Sequence, residues 1–455
     1  MAQASSDPGR RSLARGAVFA ALAAALLFGL ARGWIAPLLA EKARWAALYV
    51  RAGDTYLGMC YLLGDRKAES SASRKLLATA ASYYLRAASA DRGNTRAFAS
   101  AGLALAALGR GQEARFMLAG PAARPRTSQE RMALRRAMFV AFSWPPRADQ
   151  VEEARSFLEA LGPGPLVLSR AYRELGHLAE SERTWALAEA RGERLVPRLL
   201  AVLTVCGLLM AAGVVGLVMA LASLLHRRAR EPMAAPPAPW GLREATEALL
   251  LWAPLAVAVG AGLARLGVGR GEAALASSLF AGAAAITWAW AVAPRGRGFG
   301  WRPVRPVRDV LLGLAVAGVA APLALVLEGL VGRALGGLES VQHPLVPLIA
   351  DAAGWAARGG LIAAACVVAP VVEEALFRGI VFRGLRREWP LVIAAAGSAA
   401  LFALAHASRT ALLPYALVGV ALAVLYEHTG SLAAPVAAHG AFNAFQLAIL
   451  VGLYG

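Results

Sequence analysis

The chemically most informative residues are carboxylates that interrupt an apolar segment near the C-terminus. Glu373 and Glu374 follow the apolar stretch 361–372, and Arg378 comes one helical turn later. Adjacent residues on a helix point about 100° apart, so the two carboxylates cannot do the same job. Glu374 and Arg378 have the four-residue spacing of an intrahelical ion pair. Glu373 then faces elsewhere and can hold a water as a general base, unless both carboxylates lie at a helix end among lipid headgroups.

Two further apolar segments carry imidazoles. His406 follows Phe402 by one turn, and a single histidine in such a segment is more often a packing residue than a catalyst. His439 and Asn443 are four residues apart and share one helical face, which offers an imidazole and an amide in the same direction. Gly440 between them permits close approach of a neighbouring helix or a substrate. The alternative for this pair is a purely structural bridge between helices.

The depth of these residues links the three segments. With a rise of about 1.5 Å per residue, Glu373, His406 and His439 each lie roughly 12–22 Å from an end of their apolar segment. These depths fall inside a hydrocarbon core about 30 Å thick. The sequence therefore predicts that the three side chains can meet in one cavity within the membrane.

The composition predicts a helical membrane protein. The 455 residues are 58% hydrophobic and only 17% charged, whereas soluble domains average about 25% charged. Lipid offers no partner to unpaired backbone groups, so the spans should be helices and the fold class all-α, a polytopic bundle. The expected spans, nine with an N-terminal anchor, are 17–40, 199–225, 247–266, 273–293, 309–331, 355–382, 391–407, 411–426 and 431–453.

The net charge of +18 comes largely from arginines that flank these spans. Arginine clusters lie at 10–15, 227–230 and 295–308, as in cytoplasmic loops under the positive-inside rule. A nucleic-acid-binding protein would need a basic face on a folded domain, and these clusters are short connectors. Together with the rich usage of alanine, arginine and glycine, the pattern indicates the inner membrane of a GC-rich bacterium.

Residues 1–40 are predicted to be a cytoplasmic tail followed by a signal anchor. The apolar run 17–40 is interrupted by Arg32, whose long side chain can reach the interface. A cleaved signal peptide is the alternative, because the strictly apolar part is short for a span.

Residues 41–198 have the mixed charge of a soluble helical domain, predicted to lie outside the cytoplasm. A faint repeat of about 34 residues favours a tetratricopeptide-like (TPR-like) array as much as a generic alanine-rich helical domain. The residues at repeat-like spacing are Ala80, Tyr84, Ala87, Gly102, Leu105, Gly109, Ala114, Tyr172 and Gly176. Such a domain suits contact with a protein partner. A membrane helix at 199–225 and a basic, proline-rich cytoplasmic linker at 226–246 follow.

The three motifs, in this order, resemble a known family. Glu373, Glu374 and Arg378 form EExxxR, Phe402 and His406 form FxxxH, and His439 and Asn443 form HxxxN. This combination resembles the CPBP (CAAX protease and bacteriocin-processing, or Abi) intramembrane proteases. The resemblance covers about residues 245–453, so 247–455 is predicted to be the protease domain.

The resemblance implies hydrolysis of a peptide bond in a protein at or in the lipid bilayer. By analogy, Glu373 activates the attacking water and His406 shares that water or its proton. His439 and Asn443 would stabilise the oxyanion, while Glu374 and Arg378 would hold the helix and tune Glu373.

Metal dependence separates two versions of this mechanism. Glu373, His406 and His439 could ligate a catalytic zinc with an open position. The chain has no HExxH motif, however, and a glutamate-dependent mechanism needs no metal. We therefore expect an enzyme without a cofactor.

Two other functions compete with an endopeptidase. In one, the chain is a catalytically silent membrane scaffold that recruits partners through residues 41–198. In the other, Glu373 and the histidines couple a transporter to protons, but the early and late spans show none of the internal similarity expected of inverted repeats. A narrower hypothesis is that the outer domain holds exported proteins near the membrane bundle for trimming.

Overall fold

The computed structural model describes residues 42–66, 69–119, 127–142, 145–226, 240–266, 268, 270–292, 305–334, 348–349, 352, 354–406 and 410–454. The described part of the chain is helical and contains no strand, which confirms the predicted all-α class. Two compact units divide the chain. Over the described residues, one comprises 42–204 and 449–454, and the other lies within 205–448. The predicted signal anchor at 17–40 and most of the linker at 226–246 lie outside the described residues.

The first unit begins with eight helices joined by short turns. They are α1 (Lys42–Leu62), α2 (Ser71–Ala90), α3 (Thr95–Ala107), α4 (Gly111–Ala119), α5 (Ser128–Phe142), α6 (Ala148–Glu159), α7 (Gly164–Glu174) and α8 (Leu178–Glu193). Most consecutive helices pack against each other, and α8 returns to pack against α1. Alanines and leucines fill most of the core, with a few buried tyrosines among them, and the small alanines let neighbouring helices approach closely.

Two turns in this unit share one geometry. Gly109 and Gly176 have φ angles of 79° and 76°, the left-handed conformation that glycine adopts without strain. The next amide in each turn donates back to the carbonyl five residues earlier, on Leu105 in one case and Tyr172 in the other, at 2.9 Å. The repeated turn matches the glycine spacing seen in the sequence. The TPR-like architecture and the extracytoplasmic location stay predictions.

The helices of the membrane bundle follow α8. They are α9 (Val196–His226), α10 (Leu242–Arg265), α11 (Arg270–Val292), α12 (Pro306–Ala334), α13 (Gly354–Glu388), α14 (Leu391–Ala405), α15 (Leu412–Thr429) and α16 (Ala433–Tyr454). Among the described residues, seven helical stretches are long and apolar enough to cross a membrane. The protein is therefore a multi-pass membrane protein. Each predicted span that lies in described residues coincides with one of these helices.

The helix at the predicted span 391–407 is short compared with the thickness of a membrane. Helix α14 has 15 residues, about 22 Å of rise, and the hydrocarbon core is about 30 Å thick. It ends at His406, whose amide closes the last turn on the Ala403 carbonyl at 3.2 Å. The sequence places the end of this span within two residues of the observed end, and a helix of this length is short for a bilayer of ordinary thickness.

Helix α13 is the centre of this bundle and packs against α10, α11, α14 and α15. The sequence suggests one regular α-helix here, but the structure departs from that geometry. Two stretches, Ala364–Val368 and Ala375–Phe382, adopt the wider π-helical turn. Every residue of the second stretch is buried. Widened turns of this kind are frequent at functional sites, because they change which side chains face the interior.

Glycines let the other helices approach α13 and one another. A Cβ at Gly440 on α16 would collide with the Cys366 carbonyl oxygen in the first π-helical stretch. A Cβ at Gly419 on α15 would lie 2.8 Å from the Ala399 Cβ on α14. Close backbone approach through small residues is the usual packing mode of membrane helices, so both glycines set the spacing around α13.

We predict that Gly440→Ala destabilises the bundle by about 1–3 kcal/mol, because α16 must move away from α13 to relieve the overlap. Gly262→Ala in α10 is the matched control, since a Cβ there meets no neighbouring atom within 4 Å. Chemical denaturation in mixed micelles measures both. Equal stability of the two variants would show that Gly440 does not set this packing.

Candidate active site

The core of the candidate site is a fully buried ion pair within α13. An Arg378 guanidinium nitrogen lies 2.8 Å from Glu374 Oε1, and neither side chain is exposed to solvent. This is the four-residue pair that the sequence predicts. Two buried charges are stable only when further polar contacts compensate for the water they have lost.

Arg378 has two more partners on neighbouring helices. It donates to the Gly419 carbonyl on α15 at 3.1 Å, and its guanidinium carbon lies 4.5 Å from the centre of the Phe402 ring on α14. A guanidinium over an aromatic face is attracted by the ring quadrupole. Arg378 therefore fixes α13 to both α14 and α15.

His439 joins α16 to the same ion pair. Its Nδ1 lies 2.8 Å from Glu374 Oε1, and the side chain is almost fully buried. An ionised carboxylate accepts hydrogen bonds only, so His439 donates from Nδ1 and its Nε2 carries a lone pair in the neutral ring. That Nε2 lies 3.8 Å from Glu373 Oε2.

His406 approaches Glu373 in the same way from α14. Its Nδ1 lies 2.8 Å from the Phe402 carbonyl oxygen, which can only accept. The Nε2 of the neutral ring therefore carries the lone pair, and it too lies 3.8 Å from Glu373 Oε2. The Phe402 ring packs against both imidazoles, with centroids 4.6 Å from His406 and 5.4 Å from His439.

Glu373 lies where the two imidazoles converge, and about a quarter of its side chain is exposed. One ligand atom from each of Glu373, His406 and His439 lies within 4.8 Å of the others. Glu373 Oε2 has no hydrogen-bond partner in the described protein. Three acceptor atoms that face one point fit a species that can donate to them or bind them as a cation. The structure thus brings together the three side chains that the sequence placed in one cavity.

The same three residues also fit a divalent cation. Two imidazole nitrogens and one carboxylate oxygen are a common ligand set for zinc. Each imidazole donates its other nitrogen to a carboxylate or a carbonyl, as metal-bound histidines usually do. The geometry of these three residues therefore fits a bound water and a bound metal ion equally well.

Asn443 is held by the backbone of α13 rather than by Glu373. Its Nδ2 donates to the Ala365 carbonyl at 2.8 Å. In a π-helical turn the partner of that carbonyl would be the amide of residue 370, five positions on, and Pro370 has no N–H to donate. Asn443 supplies the missing hydrogen bond. Asn443 and His439 thus both face α13, as their four-residue spacing predicts, but Asn443 binds the backbone of that helix and His439 binds a carboxylate.

Two residues near the site were not singled out from the sequence. The ring of Tyr415 on α15 packs edge-on against His406, with centroids 4.8 Å apart. Glu328 is a buried carboxylate in the apolar helix α12, and Thr410, four residues after His406, donates to it at 3.5 Å. The cost of charge in a membrane helix was a sufficient signal for Glu328. Tyr415 carries no comparable signal.

Known proteins are similar to this part of the chain. Residues 355–445 match the family model described as type II CAAX prenyl endopeptidase Rce1-like. The resemblance is confirmed. All three motifs lie within the matched residues, whereas 245–354, which we had included, lies outside them.

One curated relative supports the same family. Putative membrane peptidase YdiL of Bacillus subtilis (strain 168) is 33% identical over 85 residues, which are 19% of this chain and 35% of that protein. The match therefore spans about a third of the relative's length. No solved structure matches the chain significantly. These similarities support a membrane protease role for the C-terminal helices.

We predict that Arg378→Met destabilises the folded protein by about 3–5 kcal/mol, because it leaves the Glu374 carboxylate buried without its cation. Arg386→Met is the matched control. Arg386 lies on the same helix as Arg378 and pairs with Glu427 on α15 at 2.9 Å, but its side chain is 40% exposed. Such exposed pairs contribute at most about 1 kcal/mol. Denaturation of both variants in micelles tests this, and equal losses would contradict the proposed importance of the buried pair.

Proposed function

We propose that this protein is an intramembrane endopeptidase in which Glu373 activates a water to attack a peptide bond. The observation that supports this most is the convergence of Glu373 Oε2 with the Nε2 atoms of His406 and His439. A water at an ordinary hydrogen-bond distance of about 2.8 Å can reach all three atoms. Glu373 then accepts a proton from this water as it attacks the carbonyl carbon.

The two histidines have different roles in this proposal. His406 is the more exposed of the two and shares the water or its proton, which it can pass to the leaving amine. His439 is almost fully buried and fixed by Glu374. Fixed dipoles stabilise a developing charge well because they need no reorganisation during the reaction. Because Nε2 carries a lone pair in the neutral ring, His439 can donate to an oxyanion only as an imidazolium. We therefore retain His439 in its protonated form as the group that stabilises the oxyanion of the tetrahedral intermediate, with Nδ1–H on Glu374 and Nε2–H on the oxyanion.

Asn443 is retained as a residue of the site with a dual use. One of its two amide hydrogens is engaged by the Ala365 carbonyl, and the second remains for a substrate oxyanion. Glu374 and Arg378 act as positioning residues, since they hold His439 and Phe402 but do not face the point shared by Glu373 and the imidazoles. The substrate class is a membrane-associated or exported protein, and the protein acts in a bacterial inner membrane.

We predict that Glu373→Gln lowers the cleavage rate by at least about 10³-fold while the protein stays folded and inserted, because the amide cannot accept the proton of water. Comparison of the membrane and secreted proteomes of wild-type and variant strains identifies uncleaved substrates. Glu247 is a partly exposed residue of α10 that pairs with Arg243, and Glu247→Gln is the control that should match wild type. Retained cleavage in the Glu373 variant would refute the proposal.

A zinc-dependent mechanism is the second candidate, and the observation that supports it is the ligand set of Glu373, His406 and His439. In that version the three residues hold the metal, which would polarise the water and the carbonyl. We favour the version without metal, in which Glu373 is a free base.

We predict that the purified protein still cleaves its substrate after exhaustive chelation. We also predict that the wild type contains no stoichiometric metal, so that His406→Ala and His439→Ala leave the metal content unchanged. Elemental analysis by mass spectrometry measures the metal, and the cleavage assay measures the activity. One zinc per chain in the wild type, lost in both variants together with activity, would establish the metal-dependent mechanism instead.

A further inference from the structure

A second feature of the bundle lies outside the catalytic residues. An apolar cavity of about 340 Å³ runs between α9, α12 and α15. On α12 it extends from Leu312 to Leu327, about 22 Å along the helix. On α15 it is lined by Pro414, Leu417 and neighbouring residues, and every lining residue is apolar. No hydrogen-bonding group is available in it for a peptide backbone.

The dimensions of the cavity limit what can occupy it. A helix about 10 Å in diameter and 22 Å long fills roughly 1,700 Å³, about twice the total empty volume of about 870 Å³ in the groove. A fourth helix therefore does not fit inside this cavity. A single hydrocarbon chain is long, thin and apolar, and it suits a groove of this shape.

The basic residues at one end of the groove indicate what the hydrocarbon chain belongs to. Arg305 and Arg308 lie one or two turns before Leu312, and their spacing places them on the helical face that lines the groove. Both are exposed, and neither side chain forms an ion pair or hydrogen bond with another described residue. Basic residues at the membrane surface attract anionic lipid headgroups.

We propose that the groove is a binding site for one anionic phospholipid. The headgroup phosphate pairs with Arg305 and Arg308, and one acyl chain runs along α12 between α9 and α15. The opposite end of the groove lies at Pro414, next to the Tyr415 ring that packs against His406. A bound lipid therefore supports the helix that contacts the candidate active site. This inference does not depend on the proposed peptidase activity.

The test uses the full chain purified from a mixture of phosphatidylglycerol and phosphatidylcholine and examined by native mass spectrometry. We expect the wild type to retain one phosphatidylglycerol in preference to phosphatidylcholine. Each arginine near a membrane surface favours an anionic lipid by about fivefold, so the double variant Arg305→Gln, Arg308→Gln should lose roughly 25-fold of that preference. Arg333→Gln, at the other end of the same helix and equally exposed, should keep it.

A second pair of variants tests the groove itself. Ala320→Phe fills the groove and should abolish retention of the lipid, whereas Ala396→Phe, exposed on α14, should not. Equal preference for the two lipids in the wild type would overturn the proposal. So would equal retention by the Arg305, Arg308 double variant and by Arg333→Gln. A disulfide cross-link between Ala320→Cys and a cysteine placed in residues 17–40 would also overturn it, because that segment would then be the occupant.

Discussion

The buried contact among Glu374, Arg378 and His439 is the interaction on which the rest of the site depends. It joins α13 to α16 directly, and Arg378 extends it to α14 and α15. In a low-dielectric interior such a network is stable only when each member keeps its partners, so it admits one arrangement of the four helices. Its consequence is chemical: by holding Nδ1 of His439, it turns the lone pair of Nε2 towards Glu373.

Much of this arrangement could be predicted from the sequence. The four-residue spacing of Glu374 and Arg378 predicts their ion pair. The depth of the two imidazoles in their apolar segments predicts that they lie close to Glu373. Both inferences work because an α-helix fixes the rotation and the rise per residue. They also work because burying an ionisable group in a membrane costs free energy, so such groups are usually functional. The all-α class followed from the same constraint on backbone hydrogen bonds.

The remainder depends on contacts between segments that spacing does not encode. The π-helical turns of α13 were missed, although Pro370 marked a carbonyl that would need a donor from elsewhere, and Asn443 provides it. Tyr415 had no recognisable signal, since an aromatic residue in an apolar helix is usually a packing residue. Glu328 had such a signal and was overlooked beside the stronger motifs.

The central claim is that Glu373 and His406 act on one shared water. The most direct measurement is a double-mutant cycle on the rate of cleavage, with Glu373→Gln, His406→Ala and the combined variant. Residues that act as one unit are strongly non-additive, so the combined variant should be no slower than the slower single variant. If the two losses multiply instead, Glu373 and His406 act independently and the shared water does not exist.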